Sequence, residues 1–218
     1  MPLPKQIVQI ALGDEYCKKL PLEQLRTNLL KKNPDYTYIL LTDADCVAFL
    51  AAHFPEHMEL YNKLTRVQYK SDLIRYLYIY VHGGYYVDID LLPMIGFDEL
   101  STIAEAPSAF FTFGAHKRNR QYMECANGLF GCEKGCGFLL DLVQEMYADI
   151  NPVDYGRNVK RMYAYLANRM PVEPFKKISN VYFLEEYIKY PGKYYVRINT
   201  DIDVCYSNGH GYPYTQLS

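Results

Sequence analysis

Hydrophobic positions along this chain fall into short runs and helical stripes. Residues 6–12 form a short apolar run closed by Gly13-Asp14, which predicts a strand. Residues 21–32 predict a helix: Pro21 sits at its first turn, Leu22, Leu25, Leu29 and Leu30 form the stripe, and lysines close it. Asn33-Pro34 is a turn, residues 36–41 read as a buried strand, and residues 43–53 as another helix. Strand and helix alternate, which predicts an α/β domain with a mostly parallel, Rossmann-like mixed sheet flanked by helices. Residues 68–81 predict a strong helix in which Leu73, Tyr76, Leu77 and Tyr80 share one face. Gly83-Gly84 stops it, and residues 85–89 form a strand running into Asp90. Later expectations are strands at 109–113, 181–184 and 194–198 and helices at 135–148 and 157–169, with an irregular segment over 203–218.

Composition changes this picture little. Lys+Arg number 23 and Asp+Glu 25, a net charge of −2, so nothing electrostatic points to nucleic acid as a partner. Half the residues are hydrophobic, enough for a proper core. No linker or repeat interrupts the 218 residues, so a single domain is expected. The unusual feature is aromatic: 23 Tyr and 10 Phe with no Trp. The six cysteines are irregularly spaced and read as free, partly buried thiols. No signal peptide, membrane segment or glycosylation sequon is apparent. The expectation is a soluble protein of a reducing cytoplasm, the host's for a viral chain.

Candidate chemistry centres on Asp88 and Asp90. On a continuing strand they share one face, with Val87 and Ile89 on the other. Adjacent carboxylates repel each other, and a divalent cation with oxygen preference relieves that repulsion. In open α/β sheets ligands sit beyond the carboxyl ends of strands, where this pair lies. The bland alternative is a solvated acidic strand end. Two further D-x-D triplets occur, Asp43-Ala44-Asp45 and Asp201-Ile202-Asp203. The first opens a helix, where Asp caps backbone N–H groups; the second lies in a polar connection.

Lys70-Ser71-Asp72-Leu73-Ile74-Arg75-Tyr76 followed by His82-Gly83-Gly84-Tyr85-Tyr86-Val87-Asp88-Ile89-Asp90 resembles the signature of the D-x-D sugar-binding-region glycosyltransferases. That family includes fungal initiating mannosyltransferases, bacterial capsule glycosyltransferases and clostridial glucosylating toxins. Its pattern S-D-x-x-R-Y, a short apolar helix and G-G-x-Y-x-D-x-D is matched at Ser71, Asp72, Arg75, Tyr76, Gly83, Gly84, Tyr86, Asp88 and Asp90. Weaker matches are Pro4-Lys5-Gln6-Ile7 with the family's opening strand and Asn33-Pro34-x-Tyr36 with its N-P-x-Y turn.

The resemblance implies a GT-A fold, with donor and metal motifs within residues 4–95 and the acceptor side and a closing tail within 96–218. It implies that Asp90 binds manganese or magnesium, that Asp88 touches the metal site and the ribose or sugar, and that Asp72 and Arg75 hold the donor sugar. Tyr86 is placed beside the nucleotide, Gln9 and Leu12 in the base pocket, and His210 as a third metal ligand. Asn127-Gly128 resembles a family segment near the acceptor, and Tyr155-Gly156-Arg157 stands where relatives carry T-G-P. The family's tryptophans are absent, so a tyrosine would have to stack on the base. From the residues themselves, Asp72 and Arg75 lie at i and i+3 on one helix flank outside the buried stripe, and a surface ion pair there is worth only about 0.2–0.5 kcal/mol.

The expected activity is metal-dependent transfer of a sugar from a nucleotide-diphosphate donor, a UDP-sugar, to a glycan or glycoprotein hydroxyl with retention. The alternatives are an aspartyl phosphohydrolase, in which the first Asp of the pair is the nucleophile, and a non-catalytic nucleotide-sugar-binding module. The chain also fits one domain of a longer protein.

Overall fold

The computed structural model describes residues 3–13, 17–18, 20–115, 122–147, 157–171, 173, 175–178, 180–190, 193–199 and 201–207. The elements run β1 (Gln6–Ile10), α1 (Leu22–Lys32), β2 (Thr37–Leu41), α2 (Asp43–His53), α3 (Met58–Lys63), α4 (Val67–His82), β3 (Gly84–Val87), β4 (Leu91–Pro93) and α5 (Phe97–Ile103). They continue with β5 (Ala109–Ala115), β6 (Tyr122–Cys132), α6 (Gly137–Tyr147), α7 (Arg157–Ala167), β7 (Lys177–Ile178), β8 (Val181–Tyr190), β9 (Lys193–Arg197) and β10 (Asp203–Ser207).

Among the described residues one sheet carries every strand, in the order β2-β1-β3-β6-β5-β8-β9-β10-β4, with β7 pairing β8. The expected parallel sheet holds for β2-β1-β3 and for β5-β8. The remaining pairings are antiparallel, so the sheet is mixed rather than mostly parallel. The reason is connection length. A parallel return needs a crossover of roughly a dozen residues or more, and the links from β8 to β9 and from β9 to β10 are far shorter. Four of these strands, β4, β6, β7 and β10, have no counterpart in the sequence pattern. β6 contains Asn127, Gly128 and Gly131, which blur its alternation, and β10 was read as irregular.

Strand alternation sorts the core into two layers. Ile7, Tyr85, Val87, Phe110 and Leu129 face one side with Leu29 of α1 and Phe97 and Leu100 of α5. Val8, Tyr86, Phe111 and Phe130 face the other, against α2, α4, α6 and α7. A sheet covered on both faces needs largely apolar strands, as in β1 and β5, where the polar Gln9 and Thr112 are buried and hydrogen-bonded. Helix α4 is the central element. It buries Tyr69, Asp72, Leu73, Ile74, Arg75, Tyr76, Leu77 and Ile79, well beyond the single stripe expected.

The Asn33-Pro34-x-Tyr36 segment has a structural role. Asn33 Nδ2 donates to Leu29 O at 2.9 Å while its Oδ1 accepts the Phe97 amide at 2.7 Å, joining the end of α1 to the start of α5. Tyr36 donates to Asp98 Oδ1 at 2.9 Å, and Lys5 reaches Asp98 Oδ2 at 2.6 Å.

The passage from α4 into β3 depends on glycine. Gly83 and Gly84 have φ of 73° and 93°. A Cβ on Gly84 would lie 2.5 Å from Gln6 Cγ and 2.7 Å from Gln6 O. Gln6 occupies this space because its Nε2 donates to the carbonyls of His82 and Gly83, at 2.9 and 2.7 Å. Gly13 also has positive φ, 85°, but with nothing within 4 Å of a built Cβ. Gly84→Ala is therefore expected to destabilise the fold by about 2–4 kcal/mol, strain plus clash, and Gly13→Ala by about 1–2 kcal/mol, strain alone. Urea unfolding midpoints of the two variants check the ranking.

Candidate functional site

The sheet order places the site. β3 is an interior strand, third in the order, and β4 lies at the far edge, six pairings away. In a flat sheet that separation is about 29 Å. The chain from Val87 to Leu91 reaches at most about 14 Å. The sheet therefore curls until its β10–β4 edge returns to the end of β3, and residues 88–90 bridge the gap. Strand β3 ends at Val87, two residues short of the sequence expectation, and the Leu91 amide donates to Asp88 O at 3.0 Å. Asp88 and Asp90 thus sit in a tight turn rather than on one strand face. Ile89 between them is buried with Ala11 and Leu20 and pins the turn to the loop after β1.

Arg75 organises the residues around this turn. Its side chain is only 6% exposed, so the expectation of a surface pair with Asp72 is corrected: a helix covered by β6 and β3 has no free flank here. The guanidinium lies 3.4 Å from Asp72 Oδ1 and 3.3 Å from Asp88 Oδ1, and 4.3 Å above the Tyr86 ring centroid. It donates to Asn127 O at 2.8 Å and Ser71 Oγ at 3.0 Å. Burial opposes its charge, but Asp88, Tyr86 and Asp72 more than offset that, and its pKa lies above the ordinary arginine value.

The neighbouring side chains are held in turn. Asn127 Nδ2 donates to Asp72 Oδ1 at 2.8 Å and to the Tyr76 hydroxyl at 2.9 Å. Tyr86 donates to Asp88 Oδ1 at 2.7 Å. The Asp88 amide donates to Gly128 O at 2.7 Å, and a Cβ on Gly128 would approach Asp88 Oδ2 to 2.8 Å. Gln9, 1% exposed, donates to Asp88 O at 3.3 Å and accepts from the Tyr38 hydroxyl at 2.9 Å. From the returning edge, Ser207 Oγ donates to Asp90 Oδ2 at 2.9 Å. Burial, then the charge of Asp88, raise the Asp90 carboxyl above the ordinary aspartate range; Ser207 and Arg75 act in the opposite direction.

Asp72, Arg75, Tyr86, Asp88 and Asp90 come together as one connected group. Tyr86 is 1% exposed and turned toward Arg75 and Asp88. Leu12 is buried in the core layer with Val8 and Leu41. His210 and Tyr155-Gly156 lie outside the described residues. Asp43 and Asp45 begin α2: Asp45 Oδ2 accepts from the Thr42 amide and hydroxyl, completing a capping box, and Asp43 Oδ2 accepts the Gly13 amide at 2.8 Å. The sequence pattern assigns no role to Ser71 or Ser207; Asn127, matched there to a family segment near the acceptor, bonds Asp72 through its side chain. Ser71 stood inside the quoted motif; Ser207 had no signal, since only the curl brings β10 to Asp90.

A divalent cation fits the turn in part. Asp88 and Asp90 supply hard oxygen donors whose mutual repulsion a cation would relieve. Among the described residues no group of three or more His, Cys, Asp and Glu gathers there or elsewhere, so a third ligand has to come from water, the donor or the remaining residues.

Two variants test this geometry. Asp90→Asn removes a charge that the fold disfavours and keeps an acceptor for Ser207. Without divalent cations at neutral pH its urea midpoint is expected to equal or exceed the parent's. Arg75→Met leaves Asp72 and Asp88 without their shared cation. Asp88 is 36% exposed and stays partly solvated, so the loss is expected near the lower end of the ~3–5 kcal/mol typical of a broken buried pair, read from the same denaturation curves.

Residues 22–106 match a family model described as the glycosyltransferase sugar-binding region containing the DXD motif. Over 114 residues the chain is 28% identical to inositol phosphoceramide mannosyltransferase 3 of Schizosaccharomyces pombe, covering 52% of this chain and 29% of that protein. Over 104 residues it is 30% identical to the initiation-specific alpha-1,6-mannosyltransferase of Candida albicans, covering 45% and 27%. An uncharacterized glycosyltransferase of Acanthamoeba polyphaga mimivirus is 28% identical over 130 residues, 59% of this chain and 49% of that one. The chain spans less than a third of the two fungal proteins and about half of the viral one. Among solved structures, the PaToxG glycosyltransferase superposes with a TM-score of 0.52 at 16% identity, over 78% of this chain and 70% of that one, which shows a GT-A fold. Among the described residues no helix is long and apolar enough to cross a membrane.

Proposed function

We propose that this chain, which carries the DXD sugar-binding region of the glycosyltransferases, transfers a sugar from a nucleotide-diphosphate donor, a UDP-sugar, to a hydroxyl of a glycan or glycoprotein. The observation that carries this reading is the buried Arg75 guanidinium, held between Asp72 and Asp88 beside the charge-strained Asp90. Such an arrangement is costly to build and has no packing purpose that an apolar side chain would not serve better.

Each residue has a definite task in this reading. Asp72, held by Asn127, accepts hydrogen bonds from hydroxyls of the donor sugar. Arg75 keeps Asp72 and Asp88 in fixed relative positions and turns its positive charge toward the donor. Tyr86 fixes the Asp88 carboxylate through its hydroxyl. Gln9 ties the first strand, and the loop proposed to take the base, to the carbonyl of Asp88. These groups are in place before the donor arrives, so little reorganisation accompanies charge development at the leaving diphosphate. Asp88 and Asp90 are the residues that would hold manganese or magnesium, with His210 proposed to join them. Such an ion, when bound, supplies Lewis-acid stabilisation of the diphosphate charge. For transfer with retention, the proton of the attacking hydroxyl passes to an oxygen of the donor's own phosphate. An aspartyl phosphohydrolase would instead attack phosphorus through the Asp88 Oδ2, Oδ1 being engaged by Arg75 and Tyr86; hydrolysis of a generic aryl phosphate would favour that reading.

A thermal-shift panel of nucleotide sugars with and without manganese tests the donor and the ion together. A UDP-sugar is expected to raise the melting temperature only with manganese, and Asp88→Asn and Asp90→Asn to abolish that rise. Donor binding that is independent of metal and unchanged in both variants would overturn the proposal. Asp72→Asn removes charge-assisted hydrogen bonds worth about 1.5–3 kcal/mol, so kcat/KM is expected to fall about 10–100-fold. Gly128→Ala displaces the Asp88 carboxylate and is expected to cost on the order of 100-fold in turnover with little change in melting temperature.

A further inference from the structure

A nucleotide donor needs a group that recognises its base, and Gln9 is not available for that task. It is 1% exposed, its Nε2 donates to Asp88 O at 3.3 Å, and its Oε1 accepts from the Tyr38 hydroxyl at 2.9 Å. Leu12 is buried and carries no polar side-chain atom. Asp43 is better placed. Strands β2, β1 and β3 are parallel neighbours and end at one carboxyl edge. Ile10 pairs with Leu41, and the Val8–Tyr86 pairing, continued by two residues, sets Ile10 level with Asp88. Asp43 therefore stands two strand spacings from Asp88, about 10 Å, with the loop after β1 between them. One ribose bridges such a gap between a diphosphate and its base, and ligands of open α/β sheets lie along this edge.

The carboxylate is held but not used up. Asp43 is half-buried, and its Oδ2 accepts the Gly13 amide at 2.8 Å; among the described residues Oδ1 has no hydrogen-bond partner. The start of α2 does not need it, because Thr42 and Asp45 already form the capping box. The side of Gly13 where a Cβ would stand is open, with no heavy atom within 4 Å. On α3, Tyr61 is 3% exposed and its hydroxyl has no partner among the described residues. Tyr61 packs in the core layer with Leu12, which precedes Gly13, and Cys46, which lies one turn after Asp43. Burial, then Cys46 and Asp43, raise its phenol above the ordinary range.

We propose, on the nucleotide-donor reading, that Asp43 Oδ1 selects a base presenting a ring N–H beside a carbonyl oxygen: uracil at N3 and O4, or guanine at N1 and O6. A carboxylate only accepts hydrogen bonds. It pairs with that ring N–H and repels the bare ring nitrogen that cytosine and adenine carry in its place. The Tyr61 hydroxyl, which has no acceptor among the described residues, donates to the adjacent carbonyl oxygen. Oδ2 stays on the Gly13 amide, so the carboxylate is fixed before the base arrives. A polar group built to bond one base edge is left unpaired by the other, which is the source of strong discrimination.

The test measures binding of UDP, CDP, GDP and ADP to the full chain with manganese by titration calorimetry. The parent is expected to bind UDP about 10-fold or more tightly than CDP, or GDP likewise than ADP, and the pair that binds identifies the base. Asp43→Asn keeps an oxygen for the Gly13 amide and turns an NH2 group toward the base. It is expected to lower that affinity ratio by about 10–100-fold, with little change in the nucleotide-free melting temperature. Tyr61→Phe is expected to weaken the preferred nucleotide severalfold and to leave its poorer partner unchanged. A parent that binds both members of each pair equally, or a ratio that survives Asp43→Asn, would overturn the proposal while leaving the donor reading intact. A parent that binds none of the four with manganese would overturn the donor reading itself. The comparison within the parent needs no variant and stands even if a substitution prevents folding.

Discussion

A buried guanidinium is the constraint on which this structure turns. A cation taken out of water is tolerated only when it is paired and its donors are satisfied. Arg75 meets that requirement with partners from three elements: Asp72 and Ser71 on its own helix, Tyr86 and Asp88 at the end of β3, and Asn127 O on β6. The register of α4 against β3, and of β3 against β6, is thereby tied to the ion contacts. Moving any one element by a residue would leave a buried charge uncompensated, so the arrangement specifies position more than it adds stability.

The second constraint is the short bridge between β3 and β4. Because so few residues join a central strand to an edge strand, the sheet has to curl, and the acidic pair lies where its two ends meet. Asp88 is held by Tyr86 of β3 and Gly128 of β6, and Asp90 from the returning edge by Ser207. The two carboxylates of one short motif are therefore positioned by parts of the chain far apart in sequence. The elevated Asp90 carboxyl records the cost of gathering negative charge in a half-buried turn.

A small part of the tyrosine excess is accounted for by the same construction. Tyr76, Tyr85 and Tyr86 are buried, with Tyr85 stacked on Phe97 at a centroid distance of 4.4 Å. Tyr76 and Tyr86 direct their hydroxyls to polar atoms at the edge of the site, to Asn127 and Asp88. A phenol serves here where phenylalanine would leave those groups without a hydrogen bond and indole could not bring its donor to the same point. Tyr76 and Tyr86 thus act as wall and hydrogen-bond donor or acceptor together.

What the sequence by itself determined is local. Helical periodicity marked α4, the double glycine marked its end, and the order of Ser71, Asp72, Arg75, Asp88 and Asp90 carried the family resemblance, because each depends on neighbours within a few turns of chain. The acidic start of α2 was legible for the same reason, with Asp45 in the capping box of Thr42, whereas the Asp43 bond to the Gly13 amide was not. What only the tertiary structure decided is contact between distant segments. It placed Asp72 and Arg75 in the interior rather than on a surface flank, since β6, whose glycines and Asn127 break the strand pattern, covers them. It made the sheet mixed, because the later strands return by connections too short for crossovers. It brought Ser207 to Asp90 and the Asn127 side chain to Asp72, contacts that no local pattern encodes, because they arise only when the sheet curls back on itself.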